Sequence, residues 1–587
     1  MIIDQERTQA RSLRSFKAAA MEKYMKTTFK YDHYYNYEEL KSNLEYFEKN
    51  YPDLVELKVN MVTTEGRNQY GVIVTNKKTG DALSKPGFHV DGNTHAGEIT
   101  GSMAAMHMLD YLITNYGADP AVTKLLDTMT IYSVPRISPD GTETWLTTPY
   151  TIRSVNKVMN EVKGGVKDED LDGDGVIRMM RIPTPYGAWK KDPDNEGAML
   201  PRDPGDREGE FFDIYPEGVM ESYEGDENLK TKKNAWSLDF NRNYPYGWFP
   251  ENRQPGAGKY PLSNEETKAL AEWILTHPNI GGVSTNHTSG GMILYPPGTK
   301  PVDKACKDDI KVFRAIAEMG KEEMDYEILN IYEEFVQDPS HYDSGAFDDW
   351  CYQSEGIISY TIEYWDLAKR AGKPFKANER SKETQKESIE RFNACREWVK
   401  KNAPADYVEW HEYDHPYFGK VELGGFNYKF THQNPPASFL NELMEQSTRF
   451  LIRFAKAMPC LVVDSVTAEK ESEGIYKVTA VIGNTGYLPT NISDEALNIG
   501  KAKEVQVCLE GEGVQVISGK DDMKIGHLSG YSRTQTGAYF YGNVGTRASA
   551  PAKKKLEWVV KAPAGTKLTV KAVSQKAGQA ELSVELC

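Results

Sequence analysis

The chain has 587 residues and a formal net charge of −16, and 39% of its residues are hydrophobic. A chain of this length exceeds what one hydrophobic core organises, so we expect two to four domains of ~150–200 residues each. The excess of acidic residues argues against nucleic-acid binding, because phosphates are bound by basic patches. No apolar run is long enough to cross a bilayer, which predicts a chain without a membrane span. The six cysteines form no CxxC pair, which indicates neither a zinc ribbon nor a dense disulfide framework.

The first 33 residues are expected to form an N-terminal arm. They begin with MIIDQERTQARS, a charged run without the apolar stretch of a signal peptide. The later YEELKSNLEYFEKN has helical apolar spacing, and Tyr51-Pro52 ends it, since a residue before proline avoids helical geometry. The sequence therefore places the start of the first domain near residue 34.

Between residues 34 and 459, strand-like and helix-like patterns alternate. The run GFHVDGNTHAGE is an apolar strand that enters a glycine-containing turn, and ITGSMAAMHMLDYLITNYG follows as a helix. MTIYSVPRISPDG is the next strand, and FLNELMEQSTRFLIRFAKAMP closes the region as an amphipathic helix. Such alternation predicts an α/β domain with a mixed, largely parallel sheet flanked by helices. Its functional residues are expected in loops at the carboxyl ends of strands.

Residues 160–236 interrupt this alternation and are rich in Asp, Glu, Gly and Pro, so we expect a long inserted loop. Within it, DEDLDGDG carries Asp170, Asp172 and Asp174 at alternate positions before a glycine, which matches the first half of a calcium-binding loop. The bidentate glutamate of such loops is absent, because Arg181 stands at that position. Two interpretations stay open: calcium bound by the three aspartates with a further ligand from elsewhere, or a solvated acidic loop that folds tightly.

The pattern changes again at residue 460. From there to residue 587 the chain shows short alternating strands and turn signals, beginning with LVVDSVTAEKESEGIYKVTAVIGNTG. This pattern predicts a separate all-β accessory domain, an immunoglobulin-like β-sandwich. Nothing in its sequence indicates a ligand, so its partner stays unknown.

Two segments match letter patterns of zinc sites. HEYDH, from His411 to His415, fits HExxH, which binds zinc only on a helix, where both imidazoles share one face. His415 precedes Pro416, and the surrounding WHEYDHPYFG favours turns and a strand, so we interpret this segment as an aromatic loop with surface histidines. The second segment, NTHAGE, places His95 and Glu98 in a turn between a strand and a helix. A catalytic zinc needs three protein ligands, so a third must follow downstream.

Five short motifs follow one another along the chain: HAGE, SPDG, DFNRN, NHTSGG and TIEYWD. Their order resembles that of the zinc metallocarboxypeptidase family, with a carboxypeptidase A-like catalytic domain over residues 34–459. The resemblance implies one zinc ion per chain, with His95, Glu98 and His287 as its ligands. It also implies that Glu363 acts as the general base.

The same resemblance assigns residues around the metal. Asn241 and Arg242 correspond to the clamp for the terminal carboxylate of the substrate, and Asp239 corresponds to the carboxylate that orients the first zinc histidine. The chemistry agrees, because an arginine fork binds a carboxylate through two parallel hydrogen bonds that lysine cannot reproduce. Two imidazoles and one carboxylate leave zinc a net positive charge, so that it acidifies water and polarises a carbonyl.

Two further catalytic residues are implied with alternatives. The family uses an arginine between the PDG and NRN motifs to stabilise the oxyanion; Arg153 is the best-placed candidate, and Arg136 is the alternative. The family also uses a mobile tyrosine upstream of the general base. Tyr342, in HYDSGAFDDW, is offset by one residue from the spacing of the digestive enzymes, so His341 is the alternative.

Substrate preference is expected to depend on the same loop. Asp348, with Asp349 beside it, suggests a basic terminal residue, and the alternative is that both carboxylates cap the following element. Gly97 stands where digestive members carry arginine, and Ser138 stands where they carry asparagine. These departures concern substrate preference more than metal chemistry.

Together these features predict a zinc-dependent metallocarboxypeptidase that hydrolyses the C-terminal peptide bond of peptides with a free carboxylate. Water activated by zinc and Glu363 would attack that bond. One alternative substrate is the stem peptide of peptidoglycan, in which diaminopimelate replaces an ordinary residue. Another alternative is a catalytically inactive, calcium-stabilised binding protein. The resemblance implies a secreted or periplasmic protein, although no signal peptide is visible in the sequence.

Overall fold

The computed structural model describes residues 25–158, 165–220, 236–336, 338–374, 382–538, 544–548 and 551–587. Most of the expected N-terminal arm and both ends of the expected insertion lie outside these ranges. The α-helices of the described ranges are α1 Tyr37–Asn50, α2 Ile99–Asn115, α3 Pro120–Thr128, α4 Pro139–Thr147, α5 Glu265–Thr276, α6 Lys307–Met324, α7 Phe347–Glu355, α8 Leu367–Arg370, α9 Gln385–Asn402, α10 Leu440–Ala455 and α11 Asp494–Asn498.

The strands fall into several sheets that follow the domain organisation. They are β1 Val55–Val62, β2 Asn68–Val74, β3 Gly87–Gly92, β4 Thr130–Val134, β5 Val166–Asp168, β6 Met179–Pro183, β7 Trp189–Lys191, β8 Met199–Pro201, β9 Phe212–Pro216, β10 Gly218–Met220, β11 Ile280–Thr288, β12 Met292–Tyr295, β13 Glu327–Asn330, β14 Ile358–Tyr364, β15 Tyr407–His415, β16 Gly419–Phe426, β17 Leu461–Ser472, β18 Ile475–Asn484, β19 Gln506–Glu510, β20 Gln515–Ser518, β21 Asp522–Lys524, β22 Thr534–Ala538, β23 Val544–Ala548, β24 Lys553–Lys561, β25 Lys567–Ser574 and β26 Gly578–Glu585.

An eight-stranded mixed sheet forms the centre of the first domain, in the order β1-β2-β4-β3-β11-β14-β12-β13. Strands β4, β3, β11 and β14 are parallel neighbours, so their carboxyl ends meet at one edge. β3 and β11 are buried along their whole length, which explains their near-continuous apolar or small-residue sequences. The structure confirms the predicted α/β fold with a largely parallel sheet flanked by helices.

Helix α2 is buried along almost its full length because it lies between the sheet and α10. Small and apolar residues on every face of α2 suit this position, since a helix without a polar face belongs in a core. Gly101 lets α2 approach β11 closely: a Cβ at this position would lie 2.1 Å from the carbonyl oxygen of Asn286. This close packing holds the turn that precedes α2 against the end of β11.

The inserted region differs from the expected long loop. Strands β6 to β9 join the hairpin of β15 and β16 in a six-stranded sheet, in the order β15-β16-β6-β9-β7-β8. Its small core packs Met180 and Ile182 of β6 against Val421 and Leu423 of β16. The insertion therefore becomes a sheet because its apolar residues meet a hairpin that lies more than two hundred residues away in the sequence, which the local composition of the insertion cannot reveal.

The C-terminal region is all-β, as predicted, apart from the short α11. Two four-stranded antiparallel sheets, β17-β18-β24-β20 and β21-β19-β25-β26, enclose a separate core that includes the buried Trp558. This unit contacts the first domain near the start of β11, where the Lys576 ammonium donates to the carbonyl oxygen of Ile280. His287 lies seven residues farther along the same strand, ~23 Å away at ~3.3 Å per residue. The all-β unit is thus remote from the carboxyl ends of the strands.

None of the helices in the ranges described above is both long and apolar enough to cross a membrane. All six cysteines lie within these ranges, and each is a free thiol.

Candidate metal centre

Two histidines and one glutamate meet at the carboxyl edge of the central sheet. His95 and Glu98 lie in the turn between β3 and α2, and His287 lies near the end of β11. His95 Nδ1 is 2.8 Å from Glu98 Oε1, and His287 Nδ1 is 2.9 Å from Glu98 Oε2. All three side chains are buried, and one ligand atom from each lies within 4.8 Å of the others.

Hydrogen bonds behind the two imidazoles fix which nitrogen carries the proton. His95 Nε2 is 3.0 Å from Asp239 Oδ1, so it donates to the carboxylate. His287 Nε2 is 3.4 Å from the Thr285 hydroxyl, which itself donates to Asp91 at 2.7 Å and can therefore accept from the ring. Each imidazole is left with a lone pair on Nδ1, the atom that faces Glu98.

This arrangement fits a divalent cation. The two Nδ1 atoms face each other at 3.2 Å, so their lone pairs repel unless a positive charge lies between them. A site with two imidazole nitrogens and one carboxylate is a donor set that zinc accepts in catalytic centres, with a fourth position left for water or substrate.

Glu363 stands beside the metal ligands because of strand register. β11 and β14 are parallel neighbours, and His287 is paired directly with Glu363. The Glu363 Oε2 atom is buried and has no hydrogen-bond partner within the described part of the chain. Burial, reinforced by the neighbouring charge of Glu98, raises the pKa of Glu363 to about 8. A carboxylate held in this way is a proton acceptor for a group brought to the metal centre.

Of the two arginine candidates, Arg153 lies at the metal centre. Its Nε donates to Asp239 Oδ2 at 2.9 Å, and its Nη1 lies 3.4 Å from Glu98 Oε1. Its side chain keeps 41% of its surface exposed, so that it can reach a bound substrate. Arg136 is buried instead and donates to the backbone oxygen of Tyr35. Arg153, and not Arg136, therefore lies beside the metal ligands.

Asn241 and Arg242 lie in a short turn that follows Asp239. Asn241 Oδ1 accepts the backbone N–H of Phe347 at 2.8 Å, which leaves the amide nitrogen as the group that can donate to a substrate. The Arg242 guanidinium is 3.0 Å from Asp343, whose carboxylate is partly exposed. A substrate carboxylate bound by Arg242 would therefore compete with, or displace, Asp343.

His341 and Tyr342, the two candidates for the residue that closes over the substrate, lie in the loop before α7 and have different surroundings. His341 lines a cavity of about 1040 Å³ that also contains Arg242 and the backbone turn after His287; we call it the mouth cavity. The Tyr342 ring instead packs against Phe249, with ring centroids 5.4 Å apart. His341 therefore shares a cavity with Arg242, whereas the Tyr342 ring has Phe249 as its neighbour.

The two aspartates of α7 have different partners. Asp348 is buried; its carboxylate accepts the Thr361 hydroxyl at 2.7 Å and the backbone N–H of Asp349. Asp349 accepts the backbone N–H of Gly298. Burial raises the pKa of Asp348, while His287 and Arg242 oppose the shift, which places Asp348 within electrostatic reach of the metal centre. Asp348 thus accepts one N–H of the first turn of α7, whose N-cap residue is Ala346, whereas Asp349 bonds outside the helix.

The HEYDH segment lies on strand β15 and not on a helix, in agreement with the sequence interpretation. His415 is buried, however, and is not a surface residue. Its Nε2 donates to the backbone oxygen of Gly218, and its Nδ1 accepts the backbone N–H groups of Tyr417 and Phe418. Both ring nitrogens are occupied, so His415 has no lone pair for a metal.

Asp170, Asp172 and Asp174 also come together, with one oxygen from each within 4.8 Å of the others. Backbone N–H groups of the same loop donate to all three carboxylates. Asp174 also pairs with Arg178 at 2.9 Å, and Asp172 lies 3.2 Å from His411 Nε2. Calcium at this loop stays a prediction.

Two residues near the metal centre escaped the sequence analysis. The Gln433 side chain occupies the space beside Gly97, where an added Cβ would come within 2.8 Å of it. Tyr428 lies close enough to the metal centre that Glu98 and Arg153 act on its pKa, which burial raises. Both come from the segment after β16, more than three hundred residues beyond HAGE, and no local motif marks them.

Comparisons with known proteins identify the family of the chain. A family model described as zinc carboxypeptidase matches residues 40–173 and 216–373, and a model described as a domain of unknown function matches residues 460–585. Mouse carboxypeptidase M is 29% identical over 110 residues, which cover 19% of this chain and 25% of that protein. Human carboxypeptidase D is 28% identical over 111 residues, which cover 19% of this chain and 8% of that protein. The chain belongs to the zinc carboxypeptidase family, whose members hold zinc and hydrolyse peptides.

Longer matches have lower identity. Rat carboxypeptidase A2 is 22% identical over 343 residues, which cover 58% of this chain and 64% of that protein. The structure of bovine thrombin-activatable fibrinolysis inhibitor in complex with tick carboxypeptidase inhibitor is 16% identical and covers 72% of this chain and 97% of that chain, with a TM-score of 0.39. The matches to carboxypeptidases M and D thus span a quarter or less of those proteins.

Proposed function

We propose that this chain is an active zinc carboxypeptidase that removes the C-terminal residue of peptides. The observation that carries the proposal is the meeting of His95, Glu98 and His287 around one point, with Glu363 in register beside His287. This set retains every ligand and the base, which supports an enzyme over an inactive binding protein. One zinc ion per chain is expected.

Each side chain has a separate task in the proposed reaction. Zinc, when bound by the three ligands, supplies the Lewis acidity that polarises the scissile carbonyl and lowers the pKa of water. Glu363 accepts a proton from the attacking water and delivers it to the leaving amine, so the peptide bond breaks without a free amide anion. Arg153 offers its guanidinium to the oxygen that gains charge in the transition state.

The clamp explains why cleavage would occur at the chain terminus. Arg242 and the amide nitrogen of Asn241 are placed to bind the free carboxylate of the last residue, with Arg242 exchanging Asp343 for the substrate. Asp348, buried near the same guanidinium, supports a preference for a basic terminal side chain. His341 or Tyr342 would close over the bound residue.

A matched pair of peptides tests this function. We expect a peptide with a free C-terminal carboxylate to be shortened by one residue, and the same peptide as its C-terminal amide to resist cleavage. Arg242→Lys should raise KM about ten- to hundredfold, since a bidentate charge-assisted pair is lost. Arg314→Lys, on the exposed side of α6, is the control and should leave KM unchanged.

Cleavage of a mixed peptide library, followed by mass spectrometry, reports both the position of cleavage and the preferred terminal residue. Preference for terminal Lys or Arg would support the role of Asp348, and cleavage within peptides would contradict the exopeptidase assignment. Purified muropeptides in the same assay test the stem-peptide alternative. A zinc content well below one ion per chain, with no cleavage of any substrate, would favour the binding-protein alternative.

A further inference from the structure

A second cavity lies beside the mouth cavity and is walled largely by parts of the chain outside the family match. It has a volume of about 750 Å³, and we call it the sheet cavity. Met179, Trp189 and Trp410 of the six-stranded sheet and Ile389 of α9 line it. None of these four residues lies within residues 40–173 or 216–373, which the zinc carboxypeptidase model matches. The sheet cavity is thus built largely by elements outside the part of the chain that matches the family model.

The sheet cavity borders the mouth cavity. Ser388, Phe392, Tyr428 and His432 line both of them. Arg242 lies in the mouth cavity and, in the proposed function, holds the terminal carboxylate of the substrate. With that end fixed, the residues that precede the scissile bond would extend away from the clamp. The two cavities meet at Tyr428, which would give these residues a route into the sheet cavity.

The walls of the sheet cavity are apolar and partly open to solvent. Helix α9 is strongly charged, yet it presents Ile389 and Phe392 to the cavity, and Phe392 is 50% exposed. A large aromatic residue left half exposed on a charged helix marks a surface that gains from being covered. Trp189, Trp410 and Phe426 add aromatic side chains to this lining, and aromatic rings attract one another beyond the area that they bury.

One polar atom in this lining calls for a donor. Asp168 Oδ1 is buried and has no hydrogen-bond partner in the described ranges, and burial raises the pKa of this carboxyl. A buried acceptor without a partner is costly, so an occupant that brings an N–H group is favoured over one that does not. A peptide carries a backbone N–H at nearly every residue, whereas an acyl chain carries none.

We propose that the sheet cavity binds a bulky apolar side chain, aromatic by preference, of the peptide substrate at a position upstream of the scissile bond. The inference rests on the proposed carboxypeptidase function and names the class of substrate: peptides with an aromatic or large aliphatic residue before their C-terminal end. The insertion and α9 would then select substrates, while the family domain performs the hydrolysis.

A tryptophan scan tests the inference on the full chain loaded with zinc. Peptides with one common C-terminal dipeptide are made with glycine at all upstream positions, and a single tryptophan is then moved through successive positions. We expect one position to raise kcat/KM by about ten- to hundredfold over the all-glycine peptide, from the burial of one large apolar side chain. An equal kcat/KM at every position would overturn the inference.

A substitution that introduces a charge into the cavity wall provides a second test. Ile389→Lys should remove most of the tryptophan gain and leave kcat/KM for the all-glycine peptide unchanged, because this residue lies outside the catalytic machinery. Leu275→Lys is the control; this residue is 49% exposed on helix α5 and should keep the full gain. A full gain in Ile389→Lys would contradict the assignment.

Two further outcomes separate the possible failures. If an N-terminal octanoyl group on the all-glycine peptide gives the same gain as tryptophan, and Ile389→Lys removes both gains, the cavity takes acyl chains and the side-chain assignment is wrong. If neither the all-glycine peptide nor any tryptophan peptide is cleaved, the proposed carboxypeptidase function itself has failed. Cleavage of all peptides without an upstream preference would contradict the cavity inference and leave the proposed carboxypeptidase function standing.

Discussion

His95 and His415 both belong to segments that match letter patterns of zinc sites, yet their ring nitrogens have different partners. His95 donates through Nε2 to Asp239 and turns Nδ1 toward Glu98. His415 donates through Nε2 to a backbone oxygen, and its Nδ1 already accepts two backbone N–H groups. A metal ligand needs a lone pair that no hydrogen bond occupies, so His95 can bind zinc and His415 cannot.

The two segments also differ in how the chain brings their residues together. The HEYDH histidines share one face of strand β15 but are separated by its extended geometry, in which four residues span ~13 Å. His95 and His287 come from two neighbouring parallel strands that end at the same edge. Convergence of strand ends, and not spacing along the sequence, builds the metal centre.

Removing one histidine from the metal centre and one from the HEYDH segment tests this comparison most directly. His287→Ala should lose bound zinc and all measurable peptidase activity, because two protein ligands do not form a catalytic zinc site. His411→Ala should keep both, since His411 contacts the Glu409 backbone oxygen and makes a partly exposed ion pair with Asp172. Such an exposed pair contributes less than about 1 kcal/mol. Metal content by mass spectrometry and cleavage of a free-acid peptide are the measurements. Loss of zinc in His411→Ala would reverse the assignment.

Glu363→Gln separates the base from the ligands. The variant should keep one zinc per chain but lose kcat by about 10²–10⁴-fold, the usual range for a general acid–base residue. The amide is nearly the same size as the carboxylate, so the fold should be unaffected. Glu412→Gln, the glutamate of the HEYDH segment, is the matched control and should retain wild-type kcat. Normal cleavage by Glu363→Gln would refute the proposed mechanism.

The first domain and the metal ligands could be predicted because their signals are local and ordered. The HAGE turn follows a strand, and the histidine of NHTSGG and the glutamate of TIEYWD lie near the ends of two others. Parallel strands end at one edge of a sheet. The order of the motifs therefore predicts that their side chains meet at one edge of the sheet. The spacing of the motifs along the sequence does not predict strand register. The structure shows that His287 and Glu363 are paired directly on neighbouring strands.

The insertion and the residues after β16 could not be predicted in the same way. Met180 and Ile182 are buried because Val421 and Leu423 pack against them. The sequence of residues 160–236 does not contain these partners, so the region by itself has the composition of a loop. Tyr428 and Gln433 carry no motif. Their position near the metal depends on tertiary packing, which places distant segments side by side without a signal in either one.

Asp239→Asn tests whether the partner of the second ring nitrogen decides metal binding. Asparagine keeps the size of the side chain but removes the charge that holds the His95 N–H and the Arg153 guanidinium. We expect a loss of about 10–100-fold in zinc affinity or activity. Zinc affinity by competition with a chromophoric chelator, together with kcat/KM, is the readout. Unchanged values would show that Nδ1 alone governs the site.

The acidic loop extends the comparison to oxygen ligands and carries the smallest expected effect. If calcium binds Asp170, Asp172 and Asp174, then adding it to the zinc-loaded chain should raise the thermal midpoint, because binding to the folded state alone stabilises by RT ln(1 + [L]/Kd). Asp172→Asn should weaken the rise, and Asp194→Asn, elsewhere in the insertion, should not. An unchanged midpoint would mean that the backbone N–H groups, Arg178 and His411 already satisfy these carboxylates, as the backbone satisfies His415. The acidic loop would then resemble the HEYDH segment: its sequence matches a metal-binding pattern, but groups of the protein already bind its ligand atoms.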